Sequence, residues 1–202
     1  MKKLLIATHN EGKALEFKAL FEDYGVVIET LNDYPELPEI EETGTTFREN
    51  AALKAEAIAK LTNQAVISDD SGLSVVALNG APGVYSARYA GEPANDANNN
   101  EKLVKALEKF SREERAARFD CTIAVAVPNE ETRFYEGSIE GEILLEPRGS
   151  AGFGYDPYFL VSQLSKTTAE LTMSEKNIIS HRGKAIQKMA KDLPQLLLSL
   201  SK

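Results

Sequence analysis

The sequence has one cysteine and no long run of apolar residues. Cys121 is the only cysteine among 202 residues, so no disulfide can form within the chain, which fits a reducing compartment. The longest apolar stretch beyond the N-terminus, residues 123–127, is far below the ~20 residues that a membrane span needs. Residues 1–7 form too short an apolar run for a signal peptide. We therefore expect a cytoplasmic protein with no membrane partner.

Cationic residues are also scarce. The chain has 23 Lys and Arg residues against 31 Asp and Glu residues, a formal net charge of −8. Binding to nucleic acid is driven by cationic surface, so we expect no nucleic-acid partner. An acidic chain can still bind a small polyanion through a few concentrated cations, a helix N-terminus or a metal ion held by carboxylates.

Several catalytic signatures are missing. Only two histidines are present, which argues against a His-rich zinc site. No Gly-x-Ser-x-Gly motif occurs, so a Ser-His-Asp hydrolase has no anchor. Cys121 falls in a predicted buried strand, where a core role is commoner than a nucleophilic one.

The composition itself is that of a folded protein, with 43% hydrophobic and 27% charged residues. The length favours one domain over residues 1–202. Strands and helices alternate early and a hairpin follows, which predicts an α/β class with a mixed sheet. The predicted strands are 4–8, 26–31, 65–68, 119–127 and 132–139, and the predicted helices are 13–23, 98–110, 183–200, one capped by Thr46 and one starting near Ser174.

The first chemical signal is residues 8–13, THNEGK, between a predicted strand and a predicted helix. Free N–H groups at a helix N-terminus favour an anion, and Gly12 permits close backbone approach. Thr8 and Asn10 add short polar groups and Lys13 adds a charge. The spacing is not that of a Walker A loop. The alternative is an Asn-capped turn with a solvated lysine.

The second signal is Asp69-Asp70-Ser71-Gly72, which follows an apolar strand. Open α/β sheets bind ligands at the carboxyl ends of their strands, and two carboxylates there can hold Mg²⁺ or deprotonate a water. Ordinary turn chemistry is the alternative. Glu41 and Glu42 precede the helix capped by Thr46, where acidic residues are common for electrostatic reasons alone.

Two later segments could recognise a base. Gly152 and Gly154 flank Phe153, which would leave its ring accessible as a stacking platform, and Asp156 could accept hydrogen bonds. An aromatic turn packed on the core is the commoner outcome. Residues 175–184 are the densest cationic segment, and Arg182 offers paired donors for phosphate or a keto oxygen.

Together these stretches resemble the inosine triphosphate pyrophosphatase family. The matching stretches are residues 8–13 (THNEGK), 41–51 (EETGTTFRENA), 68–73 (SDDSGL), 80–89 (GAPGVYSARY), 152–157 (GFGYDP) and 180–183 (SHRG). The resemblance implies Mg²⁺-dependent hydrolysis of a purine nucleoside triphosphate to the monophosphate and pyrophosphate. It implies ITP, dITP and XTP as substrates, removal of deaminated purines from the nucleotide pool, a homodimer, and an elongated, two-lobed α/β fold with the active site in a cleft between the lobes.

The resemblance also implies roles for individual residues. Asp70 is similar to the metal ligand and general base, with Asp69 beside it, and Glu42 to a second metal ligand, although Glu41 could align there instead. Lys54 resembles a phosphate-side or carboxylate-orienting cation. The implied substrate-binding set is Thr8, His9, Asn10, Glu11, Gly12, Lys13, Lys54, Ser71, Phe153, Gly154, Tyr155, Asp156, Lys176, His181 and Arg182. Lys13 is also implied in catalysis.

The implied base-side donors have a physical rationale. Inosine and xanthine carry a 6-keto acceptor, whereas adenine carries a 6-amino donor. Lys176, His181 and Arg182 are the implied base-side donors. Donors from His181 and Arg182 would pair with the keto group and oppose the amino group, which can discriminate by as much as ~10⁴-fold. His9 departs from the glycine of many relatives, and we expect it to be tolerated but not catalytic. His9→Gly should therefore retain turnover.

Two other functions remain open from the sequence. A Maf-like nucleotide pyrophosphatase would share the general architecture but prefer other bases, and the segments around Phe153 and His181 argue against it. A nucleotide-binding regulator would bind without releasing pyrophosphate, and Glu42, Asp69 and Asp70 argue against it.

Overall fold

Seven strands form one mixed sheet in the computed structural model, which describes residues 2–199. The order across the sheet is β2-β1-β3-β4-β5-β6-β7. The strands are β1 (Lys2–Ile6), β2 (Val26–Thr30), β3 (Val66–Val75), β4 (Ala116–Ala126), β5 (Arg133–Ile143), β6 (Phe159–Val161) and β7 (Lys166–Thr167). β1 is parallel to β2 and β3, whereas β6 is antiparallel to β5 and β7. The predicted α/β class with a mixed sheet is confirmed.

The α-helices of the described residues are α1 (Glu11–Phe21), α2 (Phe47–Thr62), α3 (Asp96–Leu107), α4 (Met173–Ile179) and α5 (His181–Ser199). Each falls where the sequence predicts a helix, with ends shifted by a few residues, and Leu200 of the last prediction lies outside the described residues. The predicted capping box is present, since Thr46 Oγ1 accepts from Glu49 N at 3.1 Å and Glu49 Oε2 accepts from Thr46 N at 3.1 Å. The helix start at α2 was therefore readable from local chemistry.

One prediction about β3 was wrong. The sequence predicts that the strand stops at Ser68, because Asp, Ser and Gly favour turns. In the structure β3 continues through Asp69-Asp70-Ser71-Gly72 to Val75. The strand survives these polar residues because cations and one amide from other elements pair with the two carboxylates, as described below.

The chain divides into two compact units. In the first unit, residues up to 70, 121–137 and from 182 onward, two apolar clusters use alternate residues of β1. Leu4 and Ile6 pack with α1 and α5, whereas Leu5 and Ala7 pack with α2. Because successive strand residues point to opposite faces, helices cover both faces of this part of the sheet.

The second unit comprises residues 71–120 and 138–181. Its core joins Leu103 and Leu107 of α3 to Phe119 of β4 and Phe159 of β6. Among the residues described, no helix has the length and apolar character to cross a membrane. The single domain over residues 1–202, the elongated shape and the location of the site in a cleft stay predictions.

Candidate active site

Asp69 is a buried carboxylate in the middle of β3 and is 1% exposed. Lys13 Nζ, from the first turns of α1, lies 3.1 Å from Asp69 Oδ2. Arg182, the second residue of α5, donates from Nε and Nη2 to the same oxygen at 3.2 and 3.1 Å. Two helices therefore each direct a cation at one buried carboxylate.

These cations decide the protonation of Asp69. Burial alone would raise the pKa of Asp69, but the charges of Lys13 and Arg182, with Lys54, hold it well below its usual range. Arg182 is 2% exposed and also donates from Nη1 to Glu16 on α1. Burial opposes the charged form of Arg182, yet Asp69 and Glu16 raise its pKa above its usual range. Asp69 is thus the ionised member of a buried charge network.

Asp70, the next residue, has the opposite environment. It is 5% exposed and accepts a hydrogen bond from Asn50 Nδ2 at 3.1 Å. Burial, with the negative charge of Glu42, raises the pKa of Asp70 to about 6, against the opposing influence of Lys54, Lys13 and Asn50. Asp70 is therefore poised to take up a proton near neutral pH.

Glu42 lies in the loop before α2 and contacts Lys54 on that helix. Lys54 Nζ lies 2.5 Å from Glu42 Oε1 and also donates to the carbonyl oxygen of Asp69 at 2.9 Å. Burial would lower the pKa of Lys54, but the charges of Glu42, Asp70 and Asp69 raise it overall. Glu41, in contrast, is exposed. Between the two candidate glutamates, the contacts of the described residues favour Glu42.

The loop that carries Glu42 is fixed by a close backbone approach. Gly44 N donates to Asn50 Oδ1 at 2.7 Å, so one asparagine holds both the loop and Asp70. A Cβ at Gly44 would lie 2.6 Å from Asn50 Oδ1. Only glycine fits there without displacing Asn50.

Residues 8–13 form the turn into α1. Asn10 Oδ1 accepts from Lys13 N at 2.9 Å and caps the helix, and Asn10 N donates to Thr8 Oγ1 at 3.1 Å. The Asn-capped turn is therefore present, but Lys13 is not solvated, since its side chain pairs with buried Asp69. His9 is exposed and its Nδ1 lies 3.0 Å from Asn32 Oδ1. Glu11 is exposed and Gly12 is half-buried.

In the second unit, Asp156 organises the loop around Phe153. Its Oδ2 accepts from Phe153 N at 2.9 Å and from Lys176 Nζ at 2.8 Å, and its Oδ1 accepts from Thr168 Oγ1 at 2.8 Å. Lys176 Nζ lies 5.2 Å from the centroid of the half-buried Phe153 ring. A Cβ at Gly152, where φ is +82°, would lie 2.0 Å from Asp156 Oδ2. Asp156 is thus a buried organiser of the aromatic residue predicted to stack on a base.

The other predicted residues of this unit have varied environments. Tyr155 is buried, and its hydroxyl donates to the carbonyl oxygen of Ser86 at 2.7 Å. This hydrogen bond ties the turn at residues 152–156 to the segment that contains Ser86. Burial raises the pKa of Tyr155 well above its usual range. The ring of His181 stacks on Phe119 with centroids 4.8 Å apart. Ser71 is half-buried in β3.

Comparison with known proteins identifies the family. A sequence profile described as the Ham1 family matches residues 4–192. The chain belongs to the Ham1 family. It is 55% identical over 202 residues to a dITP/XTP pyrophosphatase from Listeria innocua, with all of both chains covered.

Two solved Ham1 structures share the fold. The Staphylococcus aureus Ham1 protein is 45% identical with a TM-score of 0.85, and the alignment covers 96% of this chain and 99% of that one. A HAM1 protein from Coxiella burnetii is 43% identical with a TM-score of 0.86, covering 96% and 100% of the two chains.

Arg182 has a different environment in this Ham1 chain from the one predicted. The sequence suggests a base-side donor, but its Nε, Nη1 and Nη2 donate to Asp69 and Glu16, and the side chain is fully buried. The reason is electrostatic, since two buried carboxylates need a cation that donates to both. The sequence did not predict Glu16 or Asn50 as site residues. A polar residue beside the apolar Phe17 was the only available sign of Glu16.

The donor set of the Ham1 site suits a hard cation. Within residues 2–199 no group of three or more His, Cys, Asp or Glu side chains is arranged to hold a metal ion. Glu42 and Asp70 are close enough that the charge of one raises the pKa of the other. Carboxylate oxygens such as those of Glu42 and Asp70 are ligands that a hard divalent cation prefers.

Proposed function

We propose that this chain hydrolyses non-standard purine nucleoside triphosphates, namely dITP, ITP and XTP, to the monophosphate and pyrophosphate. Its role would be to remove deaminated purines from the nucleotide pool. Membership of the Ham1 family and the relatives named dITP/XTP pyrophosphatases support the substrate class. The observation that carries the chemistry is the pair Asp69 and Asp70, whose environments shift their pKa values in opposite directions.

Asp70 is the proposed general base. Water adds its oxygen to the attacked phosphorus, its proton passes to a carboxylate oxygen of Asp70, and the bond between the α and β phosphates breaks. In the metal-free chain, burial beside Glu42 raises the pKa of Asp70 to about 6, and its ionised carboxylate can accept a proton from water. Asn50 Nδ2 donates to Asp70 Oδ2 at 3.1 Å and so orients this carboxylate.

Cations on α1 and α2 surround this base. Lys13 follows the N-terminal turn of α1, where a phosphate is favoured by free N–H groups and by the helix dipole. Asp69 and Glu42 fix the ammonium groups of Lys13 and Lys54 before substrate arrives. Such preorganised charges stabilise the negative charge that develops on phosphate oxygens.

Mg²⁺ is the proposed cofactor, and Glu42 and Asp70 would hold it together with the substrate phosphates. When bound, Mg²⁺ neutralises phosphate charge and lowers the pKa of a bound water. Asp69 would not compete for the ion, because Lys13 and Arg182 already neutralise it.

Phe153, Lys176 and His181 are the proposed base-side residues. Phe153 would stack on the purine, and Lys176 and His181 would donate to the 6-keto oxygen that dITP, ITP and XTP share. Asp156 fixes both Phe153 and Lys176, so it is proposed to act by positioning rather than by direct contact. An adenine would present its 6-amino donor to these donors and bind poorly.

A substrate panel tests the proposal. The experiment measures steady-state hydrolysis of ITP, dITP, XTP, GTP, ATP and dTTP with Mg²⁺. Pyrophosphate and orthophosphate are assayed separately as products. We expect pyrophosphate from the first three and little from ATP or GTP. Orthophosphate release, equal use of all six nucleotides, or no turnover would contradict it, and omission of Mg²⁺ should abolish turnover.

We also propose a homodimer in the cytoplasm, as the family resemblance implies. Light scattering on the purified chain should give twice the 22.1 kDa mass of the monomer. A monomer at micromolar concentration would contradict it.

A further inference from the structure

Gly154, the residue after Phe153, is held through both of its backbone polar groups by one helix. Its N–H donates to Asp96 Oδ2 at 2.7 Å, and its carbonyl oxygen accepts from Asn100 Nδ2 at 2.9 Å. Asp96 and Asn100 are four residues apart on α3, so they lie on one helix face. They form a two-point clamp on a single residue, which we call the α3 clamp.

Gly154 itself has no side chain to anchor it. Its φ is +61°, a left-handed conformation that favours glycine, and a Cβ there would meet no atom within 4 Å. Because no side chain of its own packs the residue in place, the two hydrogen bonds from α3 set its position.

Asn100 also has a feature that core stability does not explain. Its side chain is 8% exposed, and among the described residues its Oδ1 is buried with no hydrogen-bond partner. A buried unpaired acceptor destabilises a fold, and an apolar side chain of similar size would avoid that loss. The hydrogen bond that the Asn100 amide donates goes to the carbonyl oxygen of Gly154.

The clamp faces the other support of the aromatic loop. Phe153 N donates to Asp156 Oδ2 at 2.9 Å, so Asp156 holds the peptide before the Phe153 side chain and α3 holds the peptides that follow. Backbone fixed on both sides of a residue fixes the direction of its Cα–Cβ bond. The position of the Phe153 Cβ, from which the ring projects, is then restricted before any ligand arrives.

We propose that Asp96 and Asn100 are positioning residues that preorganise Phe153 for stacking on the purine base. The proposal deepens the proposed function and rests on it. Neither residue contacts the substrate in this account. Their effect is on base binding, so it should fall on KM and leave the chemical step unchanged.

The first test is Asn100→Leu. It replaces the donor and the unpaired acceptor by methyl groups and keeps the branching and the number of heavy atoms of the side chain. We expect KM for dITP to rise about tenfold, within the range of one lost base–aromatic stack, with little change in kcat. The melting temperature should not fall in proportion. Inhibition by inorganic tripolyphosphate, which has no base, should be unchanged.

The second test is a mutant cycle with Phe153→Ala. If Asn100 acts through Phe153, Asn100→Leu should have no further effect on KM once the ring is gone. Asp96→Ala should raise KM as Asn100→Leu does. Asp96→Asn keeps an acceptor for Gly154 N, so its KM should stay close to that of the wild type. Asn95→Ala removes the cap that accepts from Asn98 N and serves as a stability control that does not touch Gly154.

The possible outcomes distinguish failure of the α3 clamp from failure of the proposed function. Unchanged KM in Asn100→Leu, additive effects with Phe153→Ala, or an equal loss of tripolyphosphate inhibition would overturn the clamp. Failure of the wild-type chain to release pyrophosphate from dITP would instead overturn the proposed function.

Discussion

Two regions of the molecule use different physics to hold their candidate site residues. The carboxylate centre of the first unit (Asp69, Asp70, Lys13, Lys54 and Arg182) is held by side-chain charges brought together from β3, α1, α2 and α5. The aromatic loop of the second unit, residues 152–156, is held by hydrogen bonds to its backbone together with one buried ion pair, Asp156–Lys176.

The difference follows from what each region has to do. A proton acceptor needs a tuned pKa, and buried charges tune it strongly because the local dielectric is low. A stacking platform needs a fixed attachment to the backbone and no charge of its own. Hydrogen bonds to the neighbouring peptide groups fix that attachment. Substitutions in the carboxylate centre should therefore affect chemistry and stability, and substitutions in the aromatic loop should affect affinity.

The largest effect is expected for Asp70→Asn. The amide keeps the shape of the side chain but cannot accept the proton, so kcat should fall by roughly 10²–10⁴-fold, the contribution of a general base. Calorimetric binding of a nonhydrolysable dITP analogue should largely survive. Near-normal turnover would remove Asp70 from the mechanism and make the two regions functionally alike.

Next in size is Arg182→Met, which removes the cation shared by Asp69 and Glu16. Removing one partner of a buried ion pair leaves an uncompensated charge, so the free energy of unfolding in urea should fall by about 3–5 kcal/mol. Lys3→Gln is the matched control, because Lys3 pairs with Glu29 at the surface. That exposed pair should contribute at most about 1 kcal/mol. Equal losses would show that burial of the charges is unimportant.

A smaller effect concerns stability and pH. The folded-state pKa of Asp70, about 6, lies above its ordinary value of 3.8, so between these values the folded state binds more protons than the unfolded state. The free energy of unfolding should therefore fall as pH rises through this window and not recover above it. Asp70→Asn should remove this fall and gain about 3 kcal/mol at pH 8 over the wild type. The check is urea unfolding at several pH values, and parallel curves for the two proteins would contradict it.

The smallest of these effects is expected for Phe153→Ala. Loss of the ring should raise KM for dITP and XTP by roughly tenfold, since base–aromatic stacking contributes about 1–3 kcal/mol. Turnover at saturation and the pH profile should stay close to the wild type. A large loss of kcat with unchanged KM would mean that the aromatic loop takes part in chemistry.

The sequence predicted the parts of the fold that local chemistry determines. Helix α2 was readable from the capping box at Thr46, and the hairpin was readable from two strand-like runs around the turn Pro128-Asn129-Glu130. The course of β3 was not, because Asp69 and Asp70 favour a turn locally and tertiary partners override that preference. Lys54 reaches Asp69 across 15 residues and Arg182 across 113, separations that no local pattern reveals.

The site followed the same rule. Residue types typical of a polyanion site were visible at Lys13, Glu42 and Asp70, and the family resemblance supplied their roles. The division of labour between Asp69 and Asp70 was not visible, because it depends on which cations reach which carboxylate. Glu16, Asn50 and Asn100 were missed for a related reason, since each acts on another residue and carries no motif of its own.

The most direct test of this account is a titration of the two adjacent aspartates by ¹³C NMR of their side-chain carboxyl groups, assigned with Asp69→Asn and Asp70→Asn. We expect the Asp70 signal to titrate near pH 6 and the Asp69 signal to remain that of a carboxylate throughout the range in which the protein stays folded. If both carboxyl groups titrated together near the ordinary aspartate pKa, the central claim of a split pair would be contradicted.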